Sequence, residues 1–241
     1  MRLHDRQWGN GRAVALLLHG MMGSGESWRR VAPVIAARGY RVIALDLPGH
    51  GLSAADPNLT IARAAASVVE TATALGAAAP TVAMGHSYGG SVLAAAIAAL
   101  SPESAIYVDA PTSSRGGWDR DETRAEYIAS RAGRTFEALR RDRPSYSDED
   151  CRVEALAATQ FDIETAAGLA AGPGGDWTPS APPASLMVRP SPSGYVSDED
   201  AAVLRARGLE VRDIPGASHS VWYGHFDEFM AVIDDWYPYV N

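Results

Sequence analysis

Short apolar segments alternate with longer segments of helical periodicity, and this alternation is the strongest constraint on the fold. The apolar segments have the length and composition of buried parallel strands, whose two faces are both covered by helices. They lie at 13–20, 40–49, 81–87, 104–111, 184–190 and 209–216. The helical segments lie at 26–38, 60–76, 88–100, 198–207 and 225–237. The pattern predicts an α/β protein with a mostly parallel, doubly wound sheet and helices on both faces.

One charged, helical stretch, residues 112–183, interrupts this alternation and shows no strand pattern. Ser147 and Asp150 are spaced as the cap pair of a helix. Apolar residues that share one helical face are Ile128, Ala132, Phe136 and Leu139. We predict that 1–111 and 184–241 form the core, and that 112–183 is a helical cap. Because ligands of parallel sheets bind beyond the carboxyl ends of the strands, a cap over that edge would shape a pocket.

Charge and composition exclude several classes of protein. The formal net charge is −8, whereas nucleic-acid binding requires a basic face, so we expect no nucleic-acid partner. No apolar run approaches the ~20 residues of a membrane helix, so we expect no membrane partner. The single cysteine, Cys151, cannot form an intramolecular disulfide, and the N-terminal residues lack the apolar segment of a signal peptide. We therefore expect a cytoplasmic protein.

The pentapeptide at 85–89 is the clearest chemical motif. Gly85-His86-Ser87-Tyr88-Gly89 follows a predicted strand and opens a predicted helix. In this context the glycines permit a sharp, strained turn, and the serine hydroxyl projects free of the sheet. Ser87 is therefore the predicted nucleophile.

A serine hydroxyl needs a base, and His219 is the histidine in the expected place. It follows the last predicted strand and precedes the last predicted helix. His50 and His86 are interpreted as loop and packing residues, and His4 and His225 have no chemical context.

Negative charge on an attacked carbonyl needs two hydrogen-bond donors. His19 and Gly20 end the first central strand of the predicted sheet, and the amide of Met21 follows them. The amide of Tyr88 lies at a helix start, where backbone donors are unpaired. These two amides are the predicted oxyanion donors, so Met21 and Tyr88 are expected to contact the substrate.

Four motifs in this order and spacing make the chain resemble an α/β-hydrolase: "HGMMGSGESW", "DLPGHGLS", "GHSYGG" and "PGASHSVW". The resemblance extends from about Arg12 to Trp236. It implies the α/β-hydrolase fold, Ser87 as nucleophile, His219 as base, and an insertion after the sixth strand that corresponds to the predicted cap.

The third member of the triad departs from the pattern of most relatives. Their aspartate follows the next-to-last strand, where this sequence has Ser193. Some α/β-hydrolases take the acid from the preceding strand end, and the residue there is Asp109, which is therefore the predicted third member of a Ser-His-Asp triad. Asp198 or Asp200 is the second possibility, although both are better interpreted as the first turn of a helix. The third possibility is that no carboxylate takes part and catalysis is weak or lost.

These residues predict acyl transfer to water without a cofactor or metal. We expect a serine hydrolase that cleaves an ester, lactone or thioester of an apolar small molecule through an acyl-enzyme. Carbon–carbon bond hydrolysis or perhydrolysis with the same triad is an alternative, and a weakly catalytic ligand-binding protein is another. Aromatic residues that could contact an apolar substrate are Trp118, Tyr127, Phe136, Trp177 and Trp222.

Overall fold

The computed structural model describes residues 1–181 and 183–240. Pro182 and Asn241, which belong to the predicted cap and core ranges, lie outside the described residues. The strands are β1 (Asp5–Trp8), β2 (Ala13–Leu18), β3 (Tyr40–Leu45), β4 (Val82–His86), β5 (Ser104–Val108), β6 (Ser113–Gly116), β7 (Pro173–Asp176), β8 (Ala184–Ser191) and β9 (Glu210–Pro215). The α-helices are α1 (Val31–Ala36), α2 (Ile61–Ala74), α3 (Tyr88–Leu100), α4 (Arg120–Ala132), α5 (Phe136–Asp142), α6 (Asp148–Thr159), α7 (Ile163–Ala171), α8 (Asp198–Ala206), α9 (Val221–Gly224) and α10 (Phe226–Val232). Short 3₁₀ helices cover Gly25–Trp28 and Asp234–Trp236.

A seven-stranded sheet has the order β1-β3-β2-β4-β5-β8-β9. All neighbouring strands are parallel except β1, which pairs antiparallel with β3 at one edge. The α/β, mostly parallel prediction is confirmed, and every predicted strand is present. The sequence did not predict β1, because its four residues Asp-Arg-Gln-Trp lack an apolar pattern and join the sheet through backbone pairing.

Apolar side chains pack between the sheet and the helices on both of its faces. Side chains alternate along a strand, so neighbours on β2 enter opposite layers. Leu16 and Leu18 pack with α2 and α3, whereas Leu17 packs on the other face with Trp28 and Ile35. All of these side chains are fully buried. Burying one leucine contributes about 1.5–3 kcal/mol, so the sheet is a rigid support for the loops at its edge.

The segment between β5 and β8 leaves the sheet and returns to the neighbouring strand. It contains α4 to α7, and the predicted cap pair begins α6: Ser147 accepts the amide of Asp150, whose carboxylate reaches back to Ser147. The expectation of no strand in this segment is wrong. The short strands β6 and β7 pair antiparallel at its base. Serine, glycine and proline give them little strand character, so their pairing depends on the two ends of the segment meeting in space.

The predicted apolar face over Ile128, Ala132, Phe136 and Leu139 is also interrupted. Helix α4 ends at Ala132, and Thr135 begins α5 by accepting the amide of Ala138. This N-cap starts a new helix, so Ile128 is 47% exposed while Leu139 is buried. The break lies at 133–135, and it brings Arg134 to the site described below.

No helix in the described ranges 1–181 and 183–240 is long and apolar enough to cross a membrane.

Candidate active site

Ser87 occupies the sharp turn between β4 and α3. Its backbone has φ 50° and ψ −120°, a left-handed conformation that is strained for serine. A Cβ atom on Gly85 would lie 2.5 Å from the carbonyl oxygen of Gly89, and one on Gly89 would lie 2.4 Å from that of His19. Only glycine fits either position. The turn leaves Ser87 8% exposed, between two cavities.

His219, in the loop after β9, is bonded to a carboxylate. Its Nδ1 lies 2.6 Å from Oδ2 of Asp109. A carboxylate only accepts, so Nδ1 carries a proton and Nε2 of the neutral ring is free to accept one. The ring of Tyr195 stacks on His219 at 4.1 Å, and Nε2 of His86 donates to the His219 carbonyl oxygen over 3.0 Å. His219 is thus held on both sides.

Asp109 directly follows β5 and is 1% exposed. Its φ of +43° turns the chain at the strand end, and its amide donates to the carbonyl oxygen of Val188 in β8. Its second carboxylate oxygen, Oδ1, accepts the hydroxyl of Ser193 at 2.6 Å. The Ser193 oxygen in turn accepts the amides of Tyr195 and Val196 at 3.0 and 2.9 Å. Because both acceptor positions of this hydroxyl are occupied, its single proton is directed to Asp109.

The other two candidate acids lie elsewhere. Asp198 binds Arg189 at 2.5 Å with its side chain 93% exposed. Asp200 accepts the hydroxyl and amide of Ser197 and completes the N-terminal cap of α8. Of the carboxylates considered from sequence, Asp109 is the one that contacts His219.

The loop after β2 contains the amide of Met21. In the described part of the chain this amide donates to no other group, and the amide of Tyr88 belongs to the first residue of α3, before helical pairing begins. His19 anchors the loop: Leu47 donates to its Nε2 at 2.9 Å, so its Nδ1 donates to the Gly20 carbonyl oxygen at 2.7 Å. Burial lowers the pKa of His19, which keeps the ring neutral, as these two bonds require.

The remaining histidines support loops. Burial, followed by the charge of His219, lowers the pKa of His86. Burial lowers the pKa of His50 to about 3, and its Nδ1 bonds the carbonyl oxygen of Pro48 at 2.9 Å. His4 bonds Asp46 at 2.9 Å. These contacts hold the chain around the site.

Two cavities meet at Ser87. The larger has a volume of about 410 Å³ and a mainly apolar wall that includes Met21, Tyr88, Trp118, Tyr127, Leu169 and Trp177. The smaller, about 130 Å³, contains His219 and a more polar wall that includes Ser27, Arg134, Arg143, Tyr146, Glu154 and Trp222. Met21, Met22, Arg134 and Tyr195 line both cavities. Ser87 therefore lies between a mainly apolar cavity and a more polar, charged one.

The aromatic residues proposed from sequence divide accordingly. Trp118, Tyr127 and Trp177 line the larger cavity, and Phe136 lines neither. Trp222 lines the smaller cavity but is only 1% exposed, because it stacks on Trp28 at 4.4 Å and donates to the Ser27 carbonyl oxygen. Trp222 therefore supports the wall of the smaller cavity and offers little surface for contact with a substrate.

The charged and aromatic residues of the site that were missed from sequence include Arg134, Arg143, Glu154 and Tyr195. Each lies in a charged or polar segment that looks like solvated surface. No local pattern distinguishes the half-buried Arg134 and the exposed Arg143 from the other arginines of this segment, because their place in the cavity wall depends on how α5 and α6 pack.

The sequence model of the Alpha/beta hydrolase family matches residues 15–232. The chain belongs to this family. The matched range includes the sharp turn at Ser87, and it also includes Asp109 and His219.

Similar proteins agree with this assignment at the level of fold. A 59-residue segment is 44% identical to bifunctional epoxide hydrolase 2 of Sus scrofa, and covers 24% of this chain and 10% of that protein. The chain thus spans only a small part of the curated relatives it matches. An esterase of a marine microorganism superposes with a TM-score of 0.73 at 18% identity, covering 97% of this chain and 98% of the esterase. A bromoperoxidase of Bacillus anthracis gives 0.77 at 18% identity, covering 96% and 93%.

Within residues 1–181 and 183–240, no group of three or more histidine, cysteine, aspartate or glutamate side chains is arranged to hold a metal ion.

Proposed function

We propose that the protein is a serine hydrolase that cleaves an ester, lactone or thioester of a small molecule through an acyl-enzyme. The observation that carries this proposal is the 2.6 Å contact between His219 and Asp109, beside the strained turn that presents Ser87. The contact holds the imidazole in the tautomer that can accept the serine proton.

In the proposed reaction, the Ser87 hydroxyl oxygen attacks the substrate carbonyl carbon and Nε2 of His219 takes the hydroxyl proton. Asp109 stabilises the imidazolium through the Nδ1 proton. The amides of Met21 and Tyr88 bind the oxyanion, and its collapse expels the leaving group, which receives the proton from His219. Water then attacks the acyl-enzyme with His219 as base, releasing the acid and restoring Ser87.

Ser193 has a positioning role in this mechanism. Its hydroxyl fixes one carboxylate oxygen of Asp109, so the other faces His219. Ser193 thus occupies the position of the aspartate of most relatives, and its hydroxyl orients Asp109, which follows β5.

The apolar wall of the larger cavity supports a substrate with an apolar group. Carbon–carbon bond hydrolysis and perhydrolysis would use the same groups and differ in their products. A weakly catalytic ligand-binding protein is the other alternative, and the contact of Asp109 with His219 supports the hydrolase over it.

A serine-reactive fluorophosphonate probe tests the proposal. We expect the wild-type protein to be labelled and Ser87→Ala to be unlabelled. Ser67→Ala is the matched control, because Ser67 is a buried serine on α2 that lines neither cavity. Labelled Ser87→Ala, or an unlabelled but folded wild type, would contradict the proposal. A panel of esters, lactones and thioesters then ranks the substrate classes.

A further inference from the structure

The smaller cavity, next to Ser87, is lined by more cationic than anionic side chains. Two guanidinium groups, those of Arg134 and Arg143, and one carboxylate, that of Glu154, line it together with Ser87 and His219. Arg134 precedes α5, Arg143 directly follows it, and Glu154 lies in α6. In a protein with a net charge of −8, an excess of positive charge beside the reacting atoms is a local feature.

Glu154 and Arg134 are already paired. Nη1 of Arg134 lies 3.5 Å from Oε1 of Glu154, and the two side chains are 30% and 12% exposed. Burial raises the pKa of Glu154, while the charges of Arg134 and Arg143 lower it. Arg134 is therefore the cation that pairs directly with Glu154, whereas Arg143 acts on it from farther away.

Arg143 has no such partner. Among residues 1–181 and 183–240, no carboxylate oxygen lies within 4.0 Å of its guanidinium nitrogens. Its neighbours in sequence differ, because Arg140 pairs with Asp148 and Arg141 with Asp142. Arg143 is an exposed residue that lines the cavity and, within the described residues, has no carboxylate partner, and the planar donors of its guanidinium match a carboxylate.

We propose that the substrate carries a carboxylate on the opposite side of the scissile carbonyl from its apolar group, and that Arg143 binds this carboxylate. The proposal rests on the proposed function, since it assigns the substrate of the same Ser87 site. The larger cavity would hold the apolar group, while the smaller, at about 130 Å³, has room for a short anionic fragment.

Two pairs of small esters test this assignment. Monophenyl glutarate has its carboxylate on the acyl side, and benzoyloxyacetate has it on the alcohol side; the methyl ester of each is the neutral partner. Release of phenol or benzoate is measured for wild type, Arg143→Gln and Arg141→Gln. Arg141 is the matched control, because it lies in the last turn of α5, two residues before Arg143, has a side chain that is 71% exposed, and lines neither cavity.

For at least one pair we expect wild-type kcat/KM to be about 10- to 100-fold higher for the anion than for its methyl ester, mainly through KM. Arg143→Gln should remove about tenfold from the anion and change the neutral ester by less than about twofold, and salt should reduce the preference for the anion. Arg141→Gln should leave both esters unchanged.

Equal or better turnover of the neutral ester in both pairs would overturn the proposal, as would equal losses for anion and methyl ester in Arg143→Gln. Fluorophosphonate labelling of Ser87 separates these outcomes from failure of the proposed function. Labelling with no preference for the anion overturns only the carboxylate subsite, whereas a folded protein with neither labelling nor turnover overturns both.

Discussion

Replacing Asp109 by asparagine tests the hydrogen-bond direction on which the proposed mechanism depends. The Ser193 hydroxyl accepts two amides, so its proton needs an acceptor at the side chain of residue 109. In Asp109→Asn, the amide oxygen satisfies that need and the NH₂ group faces His219. Nδ1 must then accept, and the proton moves to Nε2, where the ring can no longer take the proton of Ser87.

This tautomer of His219 lowers the catalytic rate. We expect kcat for a phenyl ester to fall by about 10⁴, as in other triads that lose the carboxylate but keep their geometry. This corresponds to about 5.5 kcal/mol in the activation free energy. Circular dichroism should show an unchanged fold, because asparagine has nearly the same shape as aspartate. Asp198→Asn is the control and should keep full activity, because Asp198 contacts Arg189 instead of His219.

A second substitution sharpens the test. In Asp109→Asn combined with Ser193→Ala, the Ser193 proton is absent, so the amide can rotate and present its oxygen to Nδ1. We expect the double variant to be about tenfold or more above Asp109→Asn, a coupling that additive losses cannot produce. Ser193→Ala alone should lower kcat modestly and Ser193→Thr should restore it. Near-normal activity in Asp109→Asn, or a double variant no better than the single one, would refute the reasoning.

Two further predictions concern stability. Burial lowers the pKa of His50 from 6.5 to about 3 in the folded protein. Between these pH values the unfolded chain is protonated at His50 and the folded protein is not. The folded state is therefore fully stable with respect to His50 above pH 6.5 and loses stability as the pH falls toward 3. The melting temperature should therefore fall on acidification, and less steeply in His50→Gln; an unchanged slope would exclude His50 as a contributor. Trp222→Ala should cost about 3–5 kcal/mol in urea unfolding, because it removes a buried ring stacked on Trp28, whereas Trp222→Phe should cost much less. Similar small losses for both would show that the site relaxes around the missing ring.

Local features of the sequence were sufficient for the frame of the molecule. The six parallel strands of the sheet were predicted because burial on both faces requires apolar side chains along a short segment. The turn at Ser87 was found because only glycine fits at positions 85 and 89. The cap pair that begins α6 and the acidic first turn of α8 were predicted because each depends only on residues within one helical turn.

Features that join distant segments were not available to this reasoning. Strands β6 and β7 form because the two ends of one segment meet, although neither has the composition of a strand. Arg143 and Glu154 enter the site only because α5 and α6 pack above the sheet, and in sequence they resemble surface charges.

The identity of the acid shows the division most clearly. The sequence by itself determined the sheet, the serine turn and a histidine after the last strand, because each is written in a few adjacent residues. For the acid it favoured Asp109 and kept as alternatives Asp198, Asp200 and the absence of any carboxylate. The tertiary structure shows that Asp109 is the one that contacts His219, because these residues are 110 positions apart and meet only where β5, β8 and β9 lie side by side. A hydrogen bond depends on distances of a few tenths of an ångström, and only the folded sheet sets those distances.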